Sequence, residues 1–295
     1  MSLSTLTDVA APAKLNLFLH IVGRRPDGYH LLQSVFVLID WSDTLHFERR
    51  ADGRLARHDL TAALPADDLC LRAARALRAA SGTPYGADIS IDKQVPWGAG
   101  MGGGSSDAAS TLLALNRLWG LGWSRARLMA LGLSLGADVP FFIGGENAFV
   151  EGIGERLTPL TLPRQWLAVM KPVAGIETRA IFASPLLARE NKADKVEGFL
   201  ADAGIQSLLN GYGCNVMQPP AEVECPDVAK VARVLADRFG NSRMTGSGSA
   251  VFARAGTGDQ PTASLPSERP EGWVGRMCRS LVQHPLRDWA TGGQV

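Results

Sequence analysis

No stretch of this chain approaches the roughly 18 apolar residues that a membrane helix requires. The nearest, Leu128 to Ala137, is interrupted by Gly132, Ser134 and Gly136. Neither sign of charge is in excess: 30 Lys and Arg against 29 Asp and Glu leave a formal +1. No global field therefore draws the protein to nucleic acid or to an anionic membrane, and partners of both kinds are excluded. No Lys or Arg precedes Lys14 and no long apolar stretch follows it, so a secretory leader is not expected. Cysteine is scarce. Cys70, Cys214, Cys225 and Cys278 are scattered without a C-x-x-C pair and read as reduced thiols of a cytoplasmic protein. Histidines with metal-ligand spacing are also missing; His20, His46, His58 and His284 are expected to be structural or exposed.

What remains is an ordinary globular composition, 46% hydrophobic over 295 residues. At about 150 residues per domain this predicts roughly two domains. The glycines and prolines at Gly152, Gly154, Pro159 and Pro163 divide the chain into residues 1–160 and 161–295. In the first part, Lys14 to Val22 alternates, with Leu15, Leu17, Leu19 and Ile21 on one face and Lys14, Asn16, Phe18 and His20 on the other. That period of two predicts a half-buried strand. Gln33 to Asp40 and Thr44 to Arg50 read as two further strands joined at Trp41-Ser42-Asp43, and Ala87 to Val95 as another. Helices are expected over Asp67 to Ala80, capped by Asp67 or Asp68, over Ser105 to Trp119, and over Ser124 to Ser134. The second part offers a strand at Trp166 to Met170, a weakly patterned stretch from Ala188 to Leu209, a helix at Val228 to Phe239 and a short strand at Ala250 to Ala253. Gly256 to Gly272 reads as an exposed loop. Strands and helices mixed without regular alternation indicate an α+β fold.

The most informative segment is Pro96-Trp97-Gly98-Ala99-Gly100-Met101-Gly102-Gly103-Gly104-Ser105-Ser106, leading into a helix. Glycine permits positive φ and close approach of a ligand to the main chain, so successive N–H groups can converge as an anion nest. A helix N-terminus directly behind it adds unpaired N–H groups and the positive end of a dipole. Phosphate is the expected ligand, with Ser105 and Ser106 available to cap the helix or to offer hydroxyls to phosphate or metal. The loop is not a Walker loop, since Ser105 stands where a Lys should follow the last glycine. It is not a dinucleotide fold either: the neighbourhood ~20 positions on, where a ribose ligand should lie, is Gly122-Trp123-Ser124. No H-R-D or D-F-G follows, which excludes a protein kinase.

Three segments together resemble the GHMP kinases: Ala11 to Leu19, Pro96 to Ala109, and Thr245-Gly-Ser-Gly-Ser-Ala-Val-Phe252. The resemblance implies a two-domain fold, ribosomal-protein-S5-domain-2-like in the first half and ferredoxin-like in the second, with ATP between them. Gly23-Arg-Arg-Pro-Asp-Gly-Tyr-His-Leu-Leu-Gln33 and Leu135-Gly-Ala-Asp-Val-Pro-Phe-Phe142 are similar to one branch of the family. That branch moves the γ-phosphate of ATP to the 2-hydroxyl of a methylerythritol unit carrying a cytidine diphosphate group, on the non-mevalonate route to isoprenoid precursors. Another family activity, homoserine or mevalonate phosphorylation, and a nucleotide sensor without catalysis remain as alternatives.

Carried over by that resemblance, Lys14 and Asp138 are the catalytic pair. Asp138 takes or orients the hydroxyl proton, and Lys14 stabilises developing charge. ATP is held by residues 96 to 106, with Lys93 and Asp68 as further candidates near the nucleotide; Asn is the residue expected at position 68. Mg2+ bridging the ATP phosphates is expected from the chemistry, with no protein ligand assigned. Asn16, Tyr29, His30 and Phe182 are the implied contacts to the cytidine diphosphate end. Tyr29 can stack on a pyrimidine and His30 can hydrogen-bond its edge.

Overall fold

The computed structural model describes residues 3–189 and 191–292. Two long strands, β1 (Thr5–Arg24) and β2 (His30–Arg50), pair antiparallel and form the spine of the first sheet. Around them lie β3 (Leu55–Asp59), β4 (Gly86–Asp92), β5 (Ala148–Glu151) and β6 (Arg156–Pro159), in the order β3-β4-β2-β5-β6 with β1 on β2. One face is covered by α1 (Leu69–Ser81), α2 (Gly103–Leu118), α3 (Arg125–Leu133) and α4 (Val139–Gly144), which bury Phe36, Leu38, Leu112, Leu115 and Phe141 together. The helices obey their local signals: Asp68 caps α1 by accepting from the Cys70 and Leu71 N–H groups, and Ser124 caps α3.

The opposite face of β1 and β2 is buried too. Leu15, Leu17, Val35 and Val37 meet Leu167, Val169 and Phe252 of a second sheet. That sheet contains β7 (Trp166–Lys171), β8 (Arg243–Met244), β9 (Val251–Arg254) and β10 (Val274–Arg279), all antiparallel in the order β10-β7-β9-β8. Counted within this half the order is 4-1-3-2, the ferredoxin-like arrangement. The crossover from β7 to β8 carries α5 (Thr178–Ala183), α6 (Glu197–Leu200), α7 (Asp202–Leu209), α8 (Gln218–Glu224) and α9 (Pro226–Phe239). The buried stripe Val228, Val231, Ala232 and Leu235 lays α9 on the sheet. The return from β9 to β10 has no helix, and residues 256–272 form the expected loop. The chain then goes back to the first sheet: the Leu281 N–H donates to Leu38 O, and Arg125 donates to the carbonyls of Arg287 and Ala290. Among the described residues no helix is long and apolar enough to cross a membrane, and the four cysteines are free thiols.

Three local expectations need correction. Residues 33–40 and 44–50 belong to one strand, because the polar residues that suggested a turn are satisfied inside. Trp41 Nε1 donates to Gln94 O at 2.8 Å, and buried Asp43 accepts the N–H groups of Gln94 and Val95 at 2.6 and 2.7 Å. Phe18 leaves the Lys14 face and joins Leu15 and Leu17, since the pairing shifts register between Asn16 and Leu19. The spine strand is buried on both faces rather than half-buried: the second sheet covers the leucine side, and the helices that bury Phe36 and Leu38, cross-strand partners of Asn16 and Lys14, cover the side that the alternation left to solvent. The weakly patterned stretch becomes α6 and α7. Phe199 fixes them by stacking on Phe18 and Phe149, with ring centroids 5.7 and 5.2 Å apart.

Candidate active site

The glycine loop meets helix α2 as a nest. Gly98, Gly100 and Gly102 have φ of 66, 74 and 72°, a left-handed residue at every second position. The N-cap of α2 is Gly102, which supplies no side-chain bond, and the first turn has no acidic residue. Its N–H groups are therefore free for an anion. They border a cavity of about 330 Å3 lined by residues 96–105 with Leu69, Lys93 and Val95. Ser106 does not cap the helix; its hydroxyl donates to Pro12 O at 2.7 Å. Ser105 stays on the cavity wall.

A second loop grips the first. The N–H groups of Ser249 and Ala250 donate to the carbonyls of Gly98 and Ala99 at 3.3 and 3.2 Å. This is what the glycines after Thr245 are for: a Cβ on Gly248 would stand 2.1 Å from backbone atoms of Ala99 and Gly100.

Lys93 supports the nest from beneath. Its ammonium lies between two buried carboxylates, Asp43 and Asp107, the latter at 2.6 Å. Burial alone would depress the Lys93 pKa, but the two carboxylates outweigh it and raise it. Burial and the nearby Asp43 push Asp107 well above the usual carboxylate range despite Lys93. Lys93→Met would leave two buried carboxyls without a cation, so chemical denaturation should show a loss of roughly 3–5 kcal/mol. A loss below about 1 kcal/mol would show that the cluster contributes little. Sequence reasoning missed Asp43 and Asp107; the only available signal was a charged residue inside the otherwise small-residue start of α2.

The second cavity, of about 250 Å3, holds Lys14, Asn16 and Asp138 beside Gly100, Gly102 and Ser247. Lys14 Nζ is 3.5 Å from Asp138 Oδ2, donates to Asn16 Oδ1 at 2.7 Å, and stands 4.3 Å over the Phe36 ring. Its backbone N–H donates to Met101 O at 2.9 Å, which locks this lysine to the phosphate loop. Burial lowers the Lys14 pKa, and the charge of Asp138 opposes that shift. Asp138 occupies the N-cap position of α4 yet makes no capping bond, so its carboxylate is free to face Lys14 and the cavity.

The third cavity, about 910 Å3, is lined by Arg24, Tyr29, His30, Arg179 and Phe182 among others. His30 stacks on Phe182 with centroids 4.7 Å apart and planes 13° from parallel. Its Nε2 is buried without a hydrogen-bond partner. Burial first, then Arg24 and Arg189, lower its pKa, which keeps the ring neutral. Tyr29 stands exposed at the rim on the turn made by Gly28, whose φ is 93°. The three cavities are contiguous. Gly100 and Gly102 belong to the first and second; Leu32, Ile153 and Phe182 belong to the second and third.

Two candidates have other occupations. Asp68 does not line the first cavity: it caps α1 and pairs with Arg57 at 2.6 Å. Asn16 is fully buried, and its side-chain oxygen serves Lys14.

The family model for the N-terminal domain of GHMP kinases matches residues 68–146, and that for the C-terminal domain matches residues 189–264. This chain belongs to the GHMP kinases. GHMP kinases use ATP as phosphate donor. The 4-diphosphocytidyl-2-C-methyl-D-erythritol kinase of Methylibium petroleiphilum is 65% identical over 98% of this chain and 100% of its own. That of Paracidovorax citrulli is 57% identical over 97% and 98%. A crystal structure of 4-(cytidine 5'-diphospho)-2C-methyl-D-erythritol kinase superposes with a TM-score of 0.71 at 36% identity, covering 85% of this chain and 90% of that one.

Proposed function

We propose that this GHMP kinase transfers the γ-phosphate of ATP to the 2-hydroxyl of 4-diphosphocytidyl-2-C-methyl-D-erythritol, in the cytoplasm, on the non-mevalonate route to isoprenoid precursors. The observation that carries the reading is the line of three cavities: a triphosphate nest, then Lys14 and Asp138, then an aromatic pocket edged by arginines. A donor at one end and a long acceptor at the other would bring their reacting groups together at the middle.

In this reading the acceptor oxygen attacks the γ-phosphorus, the bond to the β–γ bridging oxygen breaks, and ADP leaves. Asp138 orients the hydroxyl and receives its proton, and Lys14 offsets charge spreading over the transferred group. The N–H groups of residues 98–105 hold the other phosphates. Mg2+ would supply further neutralisation of the phosphate charge, and the neutral Ser105 hydroxyl on the cavity wall is the side-chain oxygen that would help to hold it. In the third cavity, Tyr29 and Phe182 offer faces to the cytosine and His30 Nε2 an unpaired atom to its edge, while Arg24 and Arg179 face the diphosphate. The division of labour follows the two halves, 1–160 with nest and catalytic pair, 161–295 with the clamping loop.

The test is ADP release by the purified protein with Mg-ATP and each of three alcohols. Turnover is expected with the cytidine diphosphate compound and not with homoserine or mevalonate. Turnover confined to either of the latter overturns the substrate assignment, and binding without any transfer makes the protein a sensor.

A further inference from the structure

Thr245 lies 229 positions from Asn16 in sequence, and the two side chains meet in the core at the junction of the two sheets. The Asn16 N–H donates to Thr245 Oγ1 at 2.9 Å, and the Thr245 hydroxyl donates to Asn16 Oδ1 at 3.2 Å. Asn16 Nδ2 donates to Ser34 Oγ at 2.9 Å, and Ser34 gives its own proton to Phe18 O. With its proton committed, Ser34 Oγ can only accept from Asn16, so the amide nitrogen must point that way and the amide oxygen toward Lys14. The oxygen then takes one N–H of the Lys14 ammonium at 2.7 Å, closer than the 3.5 Å to Asp138. Both acceptor positions of Asn16 Oδ1 are filled, one by Lys14 and one by Thr245.

We propose that Thr245 is a positioning residue for Lys14: through Asn16 it holds the ammonium beside Asp138, so the catalytic lysine is set only when the second half is docked on the first. This rests on the function proposed above. The Thr245 backbone N–H is tied to Ala250 O at 3.0 Å in the turn between β8 and β9. The same turn continues into Gly246 and Gly248, which touch the phosphate loop at Gly100. One loop therefore registers both the nest that holds the donor phosphates and the lysine beside the acceptor. Valine in place of Thr245 keeps the shape and removes both hydrogen bonds. It leaves the buried Asn16 N–H without an acceptor and the Asn16 side chain tethered by Ser34 from one side only, so the amide oxygen is no longer fixed against the ammonium. The charged form of Lys14 weakens, so its proton leaves at lower pH.

The experiment compares wild type, Thr245→Val and Thr245→Ser by 15N NMR titration of the Lys14 ammonium, assigned with Lys14→Gln, and by kcat and KM across pH. Thr245→Val is expected to lower kcat about tenfold with KM for ATP within twofold, and to move both the Lys14 titration and the alkaline limb of kcat to lower pH. Thr245→Ser, which keeps the hydroxyl, should restore both. An unchanged Lys14 titration in Thr245→Val, or a Thr245→Ser variant as impaired as Thr245→Val, overturns the proposal. Should Thr245→Val not fold, Ser34→Ala releases the same amide from its other side and must shift the titration in the same direction; no shift there overturns the proposal equally. If wild type transfers no phosphate to the cytidine diphosphate compound, the assigned reaction fails while the NMR titration still decides the role of Thr245.

Discussion

Asp138→Asn should fold as the wild type does, bind ATP with an unchanged Kd, and turn over about 10²–10⁴-fold more slowly. The substitution is nearly isosteric at a residue that makes no capping bond to α4, so the helix loses nothing by it. What disappears is the charge 3.5 Å from Lys14 and, among the described residues, the only carboxylate lining the central cavity. Thermal unfolding and ATP titration measure the two properties that stay, and steady-state kinetics the one that goes. A kcat within fivefold of wild type would take Asp138 out of the reaction. The Lys14 ammonium adds an independent check: without the opposing charge of Asp138, burial should depress its pKa further, and activity should fail at lower pH.

Gly100→Ala should weaken ATP binding at least tenfold and cost roughly 2–5 kcal/mol of stability. Gly100 has φ of 74°, and a Cβ there would stand 2.3 Å from Thr245 O and 2.7 Å from Gly248 N. Both neighbours are backbone, so neither can swing aside, and relief requires the two glycine loops to separate. Gly122→Ala is the control. It has a similar φ of 65° and nothing within 4 Å. It should lose only about 1–2 kcal/mol from the left-handed conformation and leave the ATP Kd unchanged. Isothermal titration and denaturant melts of both variants separate the two contributions. Equal behaviour would mean that contact between the loops does not shape the nest.

Where neighbouring residues decide the structure, the chain reads correctly from its sequence. Asp68 and Ser124 cap the helices they precede, and the stripe on α9 is buried as its spacing requires. The glycine run before α2 needed no tertiary information either, because alternating left-handed residues in front of an uncapped helix are a property of about ten successive positions. Failures cluster where a distant group satisfies a polar residue. Asp43 looked like part of a turn because its partners, Lys93, Gln94 and Val95, come from the segment that follows β4, about 50 residues away. Phe18 changed face because of a register shift, which alternation cannot reveal.

The sequence by itself determined the family and the glycine nest, each written in short contiguous motifs, and the α+β class, written in the order of its patterned segments; it also singled out Lys14 and Asp138, which the fold brings within 3.5 Å of each other. Tertiary structure alone decided how these parts are used. It buried both faces of the spine strand, drew Asp68 into an ion pair with Arg57, turned Asn16 inward to Lys14, and brought Thr245 beside it. The physical reason is that hydrogen-bond direction and burial are set by whatever packs alongside, whether another strand of the same half, as Arg57 for Asp68, or the other half, as Thr245 for Asn16.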